Sequence, residues 1–494
     1  MEEGAFSLKC KSVYPTATYT AHCSIVTGTY PDEHGIVGNS FYDKCSRKII
    51  DFDVDDVNKY ILSETLFERI NGVKISVGEP ITKGSNVVIT KSEIQSKDIF
   101  EQDIYALNEA KSLIKRYSPL ITIVNLPGVD SISEIFGPLS KELLSHLKLL
   151  DEMIGDLKTL LERIYNDFLV IILADHGMTS VKENIRLNEI LEGLNVIICT
   201  SHRAAHIYAT NKELKEATRR LENDKRFDVI IHGDSLKKYR LKNPRSGDLF
   251  VTAKEGYELG PKSLKGSHGG LSSDEIFVPL IVNKLEFADL LKEADITVIP
   301  RIVFRYFREM GVVQVVRGKL NQTDPAHGWS HTTRVLKLAT ELAIKYNADV
   351  EAVRISCLFH DAERGFRPEN HEKRSASLAE KYLRESNAST SLIEKVKKII
   401  LNHHSDPDKL ETIEEKILWD ADKIDALGLI GLARCLMEAG FYKHTIREAI
   451  THALNDLKSF KDNMHLKETK EMARLRASQM LKFLKELERE LGKY

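Results

Sequence analysis

Along residues 1 to about 310, short apolar runs alternate with amphipathic stretches. The segments LITIVNL (120–126), FLVIILAD (168–175), NVIICT (195–200) and DVIIHG (228–233) are nearly continuous in aliphatic residues and bounded by turn formers. Such runs suit strands covered on both faces of a parallel sheet. Between them, EAKSLIKRY (109–117) and KELLSHLKLLDEMIGDLKTLLERIY (141–165) carry helical periodicity. The alternation predicts an α/β layered domain. GDLFVTAKEGYEL (247–259) reads as an antiparallel hairpin, and IPRIVFRYFREMG (299–311) as a closing helix with Gly311 as its stop.

Beyond residue 317 the strand signals fade. Long amphipathic periods follow, among them TTRVLKLATELAIKYN, ADVEAVRISCLFHD, HEKRSASLAEKYLRE and SLIEKVKKIILNHH. They predict an all-α helical bundle. The domains are accordingly placed at 1–313 and 314–494, a split that suits a chain of 494 residues.

Lys+Arg number 71 and Asp+Glu 73, a net charge of −2 that argues for neither a nucleic-acid nor an anionic-membrane partner. No apolar run approaches the roughly 20 residues that span a bilayer. MEEGAFSLKCKS lacks a signal-peptide core. The six cysteines contain no CxxC pair and read as reduced thiols, so the expected location is cytoplasmic.

The helical half concentrates imidazoles and carboxylates. His327 and His331 lie four apart, expected at a helix start on one face. His360 and Asp361 are adjacent; His371, His403–His404, and Asp420, Asp422 and Asp425 follow. A lone HD pair is common, but this ordered recurrence at helix ends is what a divalent-metal site in a bundle needs. The order His, HD, HH, DADKIDALGLIGLAR resembles the HD superfamily of metal-dependent phosphohydrolases over about residues 318–490. By that resemblance His331, His360, Asp361 and Asp422 are metal ligands, with Asp422 preferred to Asp420. His327, His371, His403 and His404 fall where second-metal or phosphate-facing groups sit. Lys423 or Arg334 would hold a phosphate, unless both are solvated helix-face charges.

The richest stretch of the first half is VYPTATYTAHCSIVTGTYPDEHGIVGNSFYD (13–43). Its Pro15, Thr16, Thr18, Tyr19 and His22, then Thr27, Gly28, Pro31, His34, Gly35, Ile36 and Asn39, resemble the type I phosphodiesterase/nucleotide pyrophosphatase family of the alkaline phosphatase superfamily. The resemblance makes Thr18 the nucleophile and Asn39 a phosphoryl-oxygen donor. VNLPGVDSISEIFGP, LADHGMTS and KGSHGG extend it in order. They imply Asp175 and His176 on one metal and Asp130 and His268 on another. A threonine hydroxyl needs such help, being a poor nucleophile at its free pKa.

Two departures stand out. Glu134 occupies a position where the family has a His ligand, and is expected to ligate Zn or Mn through oxygen in its place. The family also opens on a strand ending in a metal-binding Asp, whereas Glu2 and Glu3 are the only acids ahead of Thr18. The expectation is that the sequence begins downstream of its natural start or comes from a decayed gene, with MEEGAFSLK as the end of the first helix and the first strand lacking.

The leading expectation is therefore a two-domain metal-dependent phosphohydrolase acting on small phosphate esters or nucleotides. Zn or Mn would serve the first domain, and Mn, Mg, Fe or Ni the second. In the alternative the first domain is an inactive binding module, and only the HD domain turns over or binds a regulatory nucleotide.

Overall fold

A computed structural model describes residues 4–260, 263–321, 323–365 and 369–492. Glu2 and Glu3 lie outside the described residues. The chain divides into a first unit, Met1–Leu285 with Leu290–Val303, and a second, Glu286–Asp289 with Phe304–Tyr494.

The first unit is α/β. Val87–Ile89, Lys74–Val77 and Ile121–Val124 form a parallel sheet in that order. The helix Gln102–Tyr117 packs Ala106 and Ala110 onto its Ile75 and Val77. A second sheet runs Phe227–His232, Leu249–Ala253, Ala204–Ala209, Val196–Ser201 and is antiparallel throughout. Its inward Ile207, Leu249 and Val251 build a core with Ala217 and Leu221 of the helix Asn211–Glu222. A third joins Ala5–Lys11, Phe277–Val282 and Ile171–Leu173, again antiparallel.

Three expectations are corrected here. Only the Ile121–Val124 run, among the four apolar runs, lies in a parallel sheet, because an apolar run reports burial and not the direction of its neighbours. Residues 247–259 make two strands but no hairpin. Gly256, at φ 90, turns the chain so that Gly256–Glu258 pairs in parallel with Thr179–Asn184. Ala5–Lys11 is a strand rather than a helix end, burying Ala5 and Cys10 against Phe277–Val282. It carries no acid.

The second unit is all helical among its described residues. Trp329–Lys345, Val350–Phe359, His371–Glu385, Thr390–Asn402 and Ile413–Asp425 surround a core of Val335, Leu342, Val353, Phe359, Ile399 and Leu418. Gly428–Phe441, Ile446–Phe460 and Lys467–Leu491 close a neighbouring core. Gly311 does not stop its helix, which runs Ile299–Leu320. Glycine is there for space: a Cβ at 311 would meet Tyr382 Oη at 1.9 Å. Among the described residues no helix is long and apolar enough to cross a membrane.

Candidate metal centres

In the first unit, Thr18 is the first residue of the helix Thr18–Thr27, whose positive end favours an oxyanion or phosphoryl oxygens. Asn39 Oδ1 accepts from the backbone N–H of Tyr19 at 3.4 Å. The segment ahead of the helix is tied to the His268 loop. Thr16 Oγ1 donates to Gly270 O (3.0 Å) and accepts from Gly269 N (2.9 Å). His268 Nδ1 lies 2.8 Å from Thr16 O, so it donates there and turns Nε2, as an acceptor, inward.

Asp130 and Glu134 share one face of the helix Gly128–Phe136, which follows the strand Ile121–Val124. His176 stacks on His268 with ring centroids 3.7 Å apart and 14° between planes. Ligand atoms of Asp130, His176 and His268 lie within 4.8 Å of one another. Asp130 Oδ1, His176 Nε2 and His268 Nε2 are all buried without a hydrogen-bond partner. Three orphaned acceptors in one place are costly unless a cation joins them, so the donor set fits a divalent metal. Burial pushes the Asp130 carboxyl up to about 6. Burial, with the neighbouring His176 and His202 rings, holds His268 well below its ordinary value and therefore neutral, as a ligand must be.

The two expected pairs lie side by side. His176 lies with Asp130 and His268, while its Nε2 is also 3.2 Å from Asp175 Oδ2. On the far side of Asp175, His22 Nε2 approaches Oδ2 at 3.5 Å. Burial opposes charge on His22, but Glu79, at 2.8 Å from Nδ1, raises it to about 9. Reading the sequence missed Glu79 and gave His22 no role. The available signal was spacing, since His22 falls four residues after Thr18 on the same helix face.

In the second unit, His331 Nδ1 lies 2.8 Å from Asp425 Oδ2. Its Nε2 faces His360 Nε2 (3.3 Å), Asp422 Oδ1 (3.4 Å) and Asp361 Oδ2 (3.7 Å). His360 Nδ1 donates to Cys357 O, which aims its Nε2 at the same point. Asp361 Oδ1 faces the other way, 3.0 Å from His371 Nε2 and 3.9 Å from His403 Nε2. Asp361, His371, His403 and His404 form a second ligand group around it. Asp361 thus stands between two histidine clusters. Burial opposes its charge, yet His360 and His371 hold it well below the usual carboxylate range.

Other expectations shift. His327 is not on the helix with His331; Pro325 and Gly328 set it in a separate turn, Pro325–His327, where Nδ1 meets Asp324 at 2.8 Å. Arg334 bonds Asp425 at 2.6 and 2.8 Å and so orients the partner of His331. Lys423 Nζ sits 2.7 Å from Asp422 Oδ2 and lines a cleft of about 160 Å³ with Arg364, Arg434 and Asp361. Arg364 and Arg434 were not singled out from sequence. Asp420 faces away from the ligand groups, accepting from Leu466 N (2.9 Å) and Thr469 Oγ1 (2.5 Å) at the start of the helix Lys467–Leu491.

Comparison with known proteins adds to this geometry. Residues 1–271 match the family model for type I phosphodiesterase / nucleotide pyrophosphatase, and residues 328–427 match the HD domain. The chain is 28% identical over 296 residues to the bis(5'-adenosyl)-triphosphatase ENPP4 of Pongo abelii, a match covering 54% of this chain and 63% of that protein. It is 28% identical over 222 residues to ectonucleotide pyrophosphatase/phosphodiesterase family member 1 of Mus musculus, covering 42% of this chain and 24% of that protein. The chain thus spans under two thirds of the length of these curated relatives. A solved structure of inactive murine ectonucleotide pyrophosphatase/phosphodiesterase 5 in complex with AMP shares the fold of the first unit. Its TM-score is 0.52 at 18% identity, over 61% of this chain and 86% of that one.

Proposed function

Since the chain belongs to the type I phosphodiesterase / nucleotide pyrophosphatase family, we propose that it is a metal-dependent hydrolase of phosphate ester bonds with one site in each unit. The observation that carries this is the convergence of Asp130 Oδ1, His176 Nε2 and His268 Nε2, three buried acceptors that make no hydrogen bond. Asp130, Glu134 and His268, with Asp175 and His176, would hold divalent cations in the first unit, Zn or Mn by donor type. His331, His360, Asp361 and Asp422 would hold one in the second, with His371, His403 and His404 around another; Mn, Mg, Fe or Ni suit that set. Bound cations would supply Lewis acidity and neutralise phosphate charge.

The chain's own residues do the rest. Thr18 presents its hydroxyl at a helix N-terminus as nucleophile, and Asn39, with Oδ1 engaged by Tyr19 N, has its amide Nδ2 to offer a phosphoryl oxygen. In the second unit Lys423, Arg364 and Arg434 bring positive charge to the cleft beside Asp361 and Asp422. Its small volume suits a compact phosphate ester. For the first unit a nucleotide diester or pyrophosphate is the proposed substrate, supported by the AMP bound to the murine relative. The six unpaired cysteines support a cytoplasmic setting.

Hydrolysis of bis(p-nitrophenyl) phosphate with Zn²⁺ or Mn²⁺ tests the proposal. Thr18→Ala is expected to remove most diesterase activity and to spare that of the second unit. Diesterase activity unchanged in Thr18→Ala and in Asp361→Ala alike would defeat it.

A further inference from the structure

We propose that His202 is a metal ligand of the first unit, supplying to the Asp130–His268 centre the imidazole that the helix Gly128–Phe136 does not offer at Glu134. The inference rests on the reading that Asp130 and His268 hold a cation.

His202 lies outside every motif that marked this half of the sequence. It sits in the two-residue turn between the strands Val196–Ser201 and Ala204–Ala209, with φ 54. Ligand atoms of Glu134, His202 and His268 nonetheless lie within 4.8 Å of one another. His202 Nδ1 is 3.5 Å from Glu134 Oε1, and its ring centroid is 4.0 Å from that of His268.

The turn is held there by its neighbour. Arg203 is 1% exposed, and its guanidinium bonds Ala253 O and Tyr257 O, each at 3.0 Å, and Glu275. Its backbone N–H donates to His268 O at 2.9 Å. Gly269 permits this approach, since a Cβ there would meet Ser201 O at 2.7 Å. The residue next to His202 is therefore bonded directly to the backbone of His268, which ties the two histidines' positions together.

His268 Nε2 is buried without a hydrogen-bond partner, 3.9 Å from Asp130 Oδ1, and His268 belongs to this group as well as to that of Asp130 and His176. A plain His202–Glu134 ion pair would account for two members of the group and leave His268 outside it, though its ligand atom lies within the same 4.8 Å. One cation accounts for all three, and the resulting mix of imidazole and carboxylate donors suits Zn²⁺ or Mn²⁺.

Cobalt(II) is the probe, titrated into the metal-stripped full chain and read by visible absorption and by metal content after gel filtration. His202→Asn keeps a residue that tolerates positive φ and is expected to weaken one cobalt equivalent about 10-fold or more, a ligand being worth at least what an outer-shell partner is. His202→Cys is expected to add a thiolate-to-cobalt charge-transfer band absent from wild type. If His268→Ala loses a cobalt equivalent while His202→Asn titrates as wild type and His202→Cys shows no such band, His202 is no ligand and the metal centre stands. If His268→Ala also binds as wild type, the centre itself falls and the inference with it.

Discussion

His331 is bonded to Asp425 through Nδ1 at 2.8 Å, and this single contact fixes which of its nitrogens faces Asp422 and His360. Asp425 is itself held by Arg334 and by Arg434 at 3.1 Å. Burial opposes the Asp425 charge, but Arg334 and His331 hold it far below the usual carboxylate range. The carboxylate therefore stays ionised and keeps the imidazole in one tautomer. Asp425→Asn is expected to weaken metal binding in the second unit about 10- to 100-fold with little change in secondary structure. Metal content after dialysis against graded chelator measures it.

Asp420 and Asp422, two residues apart, are expected to fail in different ways. Asp420 is fully buried and accepts from two backbone N–H groups, a hydroxyl and an imidazole. Asp420→Ala should cost about 3 kcal/mol or more of stability, since those donors lose a charged acceptor. Asp422→Ala should lower metal content, and its stability loss in chelator should be the smaller, because it strips one hydrogen-bonded partner, Lys423, where Asp420 serves four donors. Equal stability losses in the two variants would contradict this division.

Gly311→Ala tests the approach of Tyr382. The new methyl would collide with Tyr382 Oη, and the expected cost is about 1–3 kcal/mol. Tyr382→Phe removes the colliding oxygen together with its bond to Arg308 O. Adding it to Gly311→Ala should recover part of the loss, in a double-mutant cycle by thermal unfolding.

Acid should unfold the first unit in part through His34. Its Nδ1 accepts from Ile36 N–H at 3.1 Å and its Nε2 pairs with Ser24 Oγ at 2.9 Å. Burial lowers its pKa to about 3, below an unfolded value near 6.5. The neutral ring is thus favoured by folding. Its contribution is present above pH about 6.5 and is lost as pH falls toward 3, with a slope near 1.4 kcal/mol per pH unit for one proton. His34→Gln should flatten stability against pH in that window. An unchanged slope would show that other groups take up the proton.

How far the sequence could be read follows from what each signal encodes. The helices of the second unit were legible because their apolar spacing is local and their ligands sit at helix ends, as His360, Asp361 and Asp422 do. Strand runs announced burial but not pairing, so 247–259 read as a hairpin though its halves join different sheets. Motif positions such as Asp130, His176 and His268 were visible in ordered segments, and the structure gathers them. His202 and Glu79 belong to no motif. Long-range folding alone brings them to the ligands, which a linear pattern does not carry.

The central claim is that these imidazoles and carboxylates gather around bound divalent cations. Anomalous X-ray scattering from crystals grown with Mn²⁺ or Zn²⁺ addresses it most directly. The account predicts peaks among Asp130, His176 and His268 and among His331, His360, Asp361 and Asp422. Ordered side chains at both places with no anomalous density between them would contradict it.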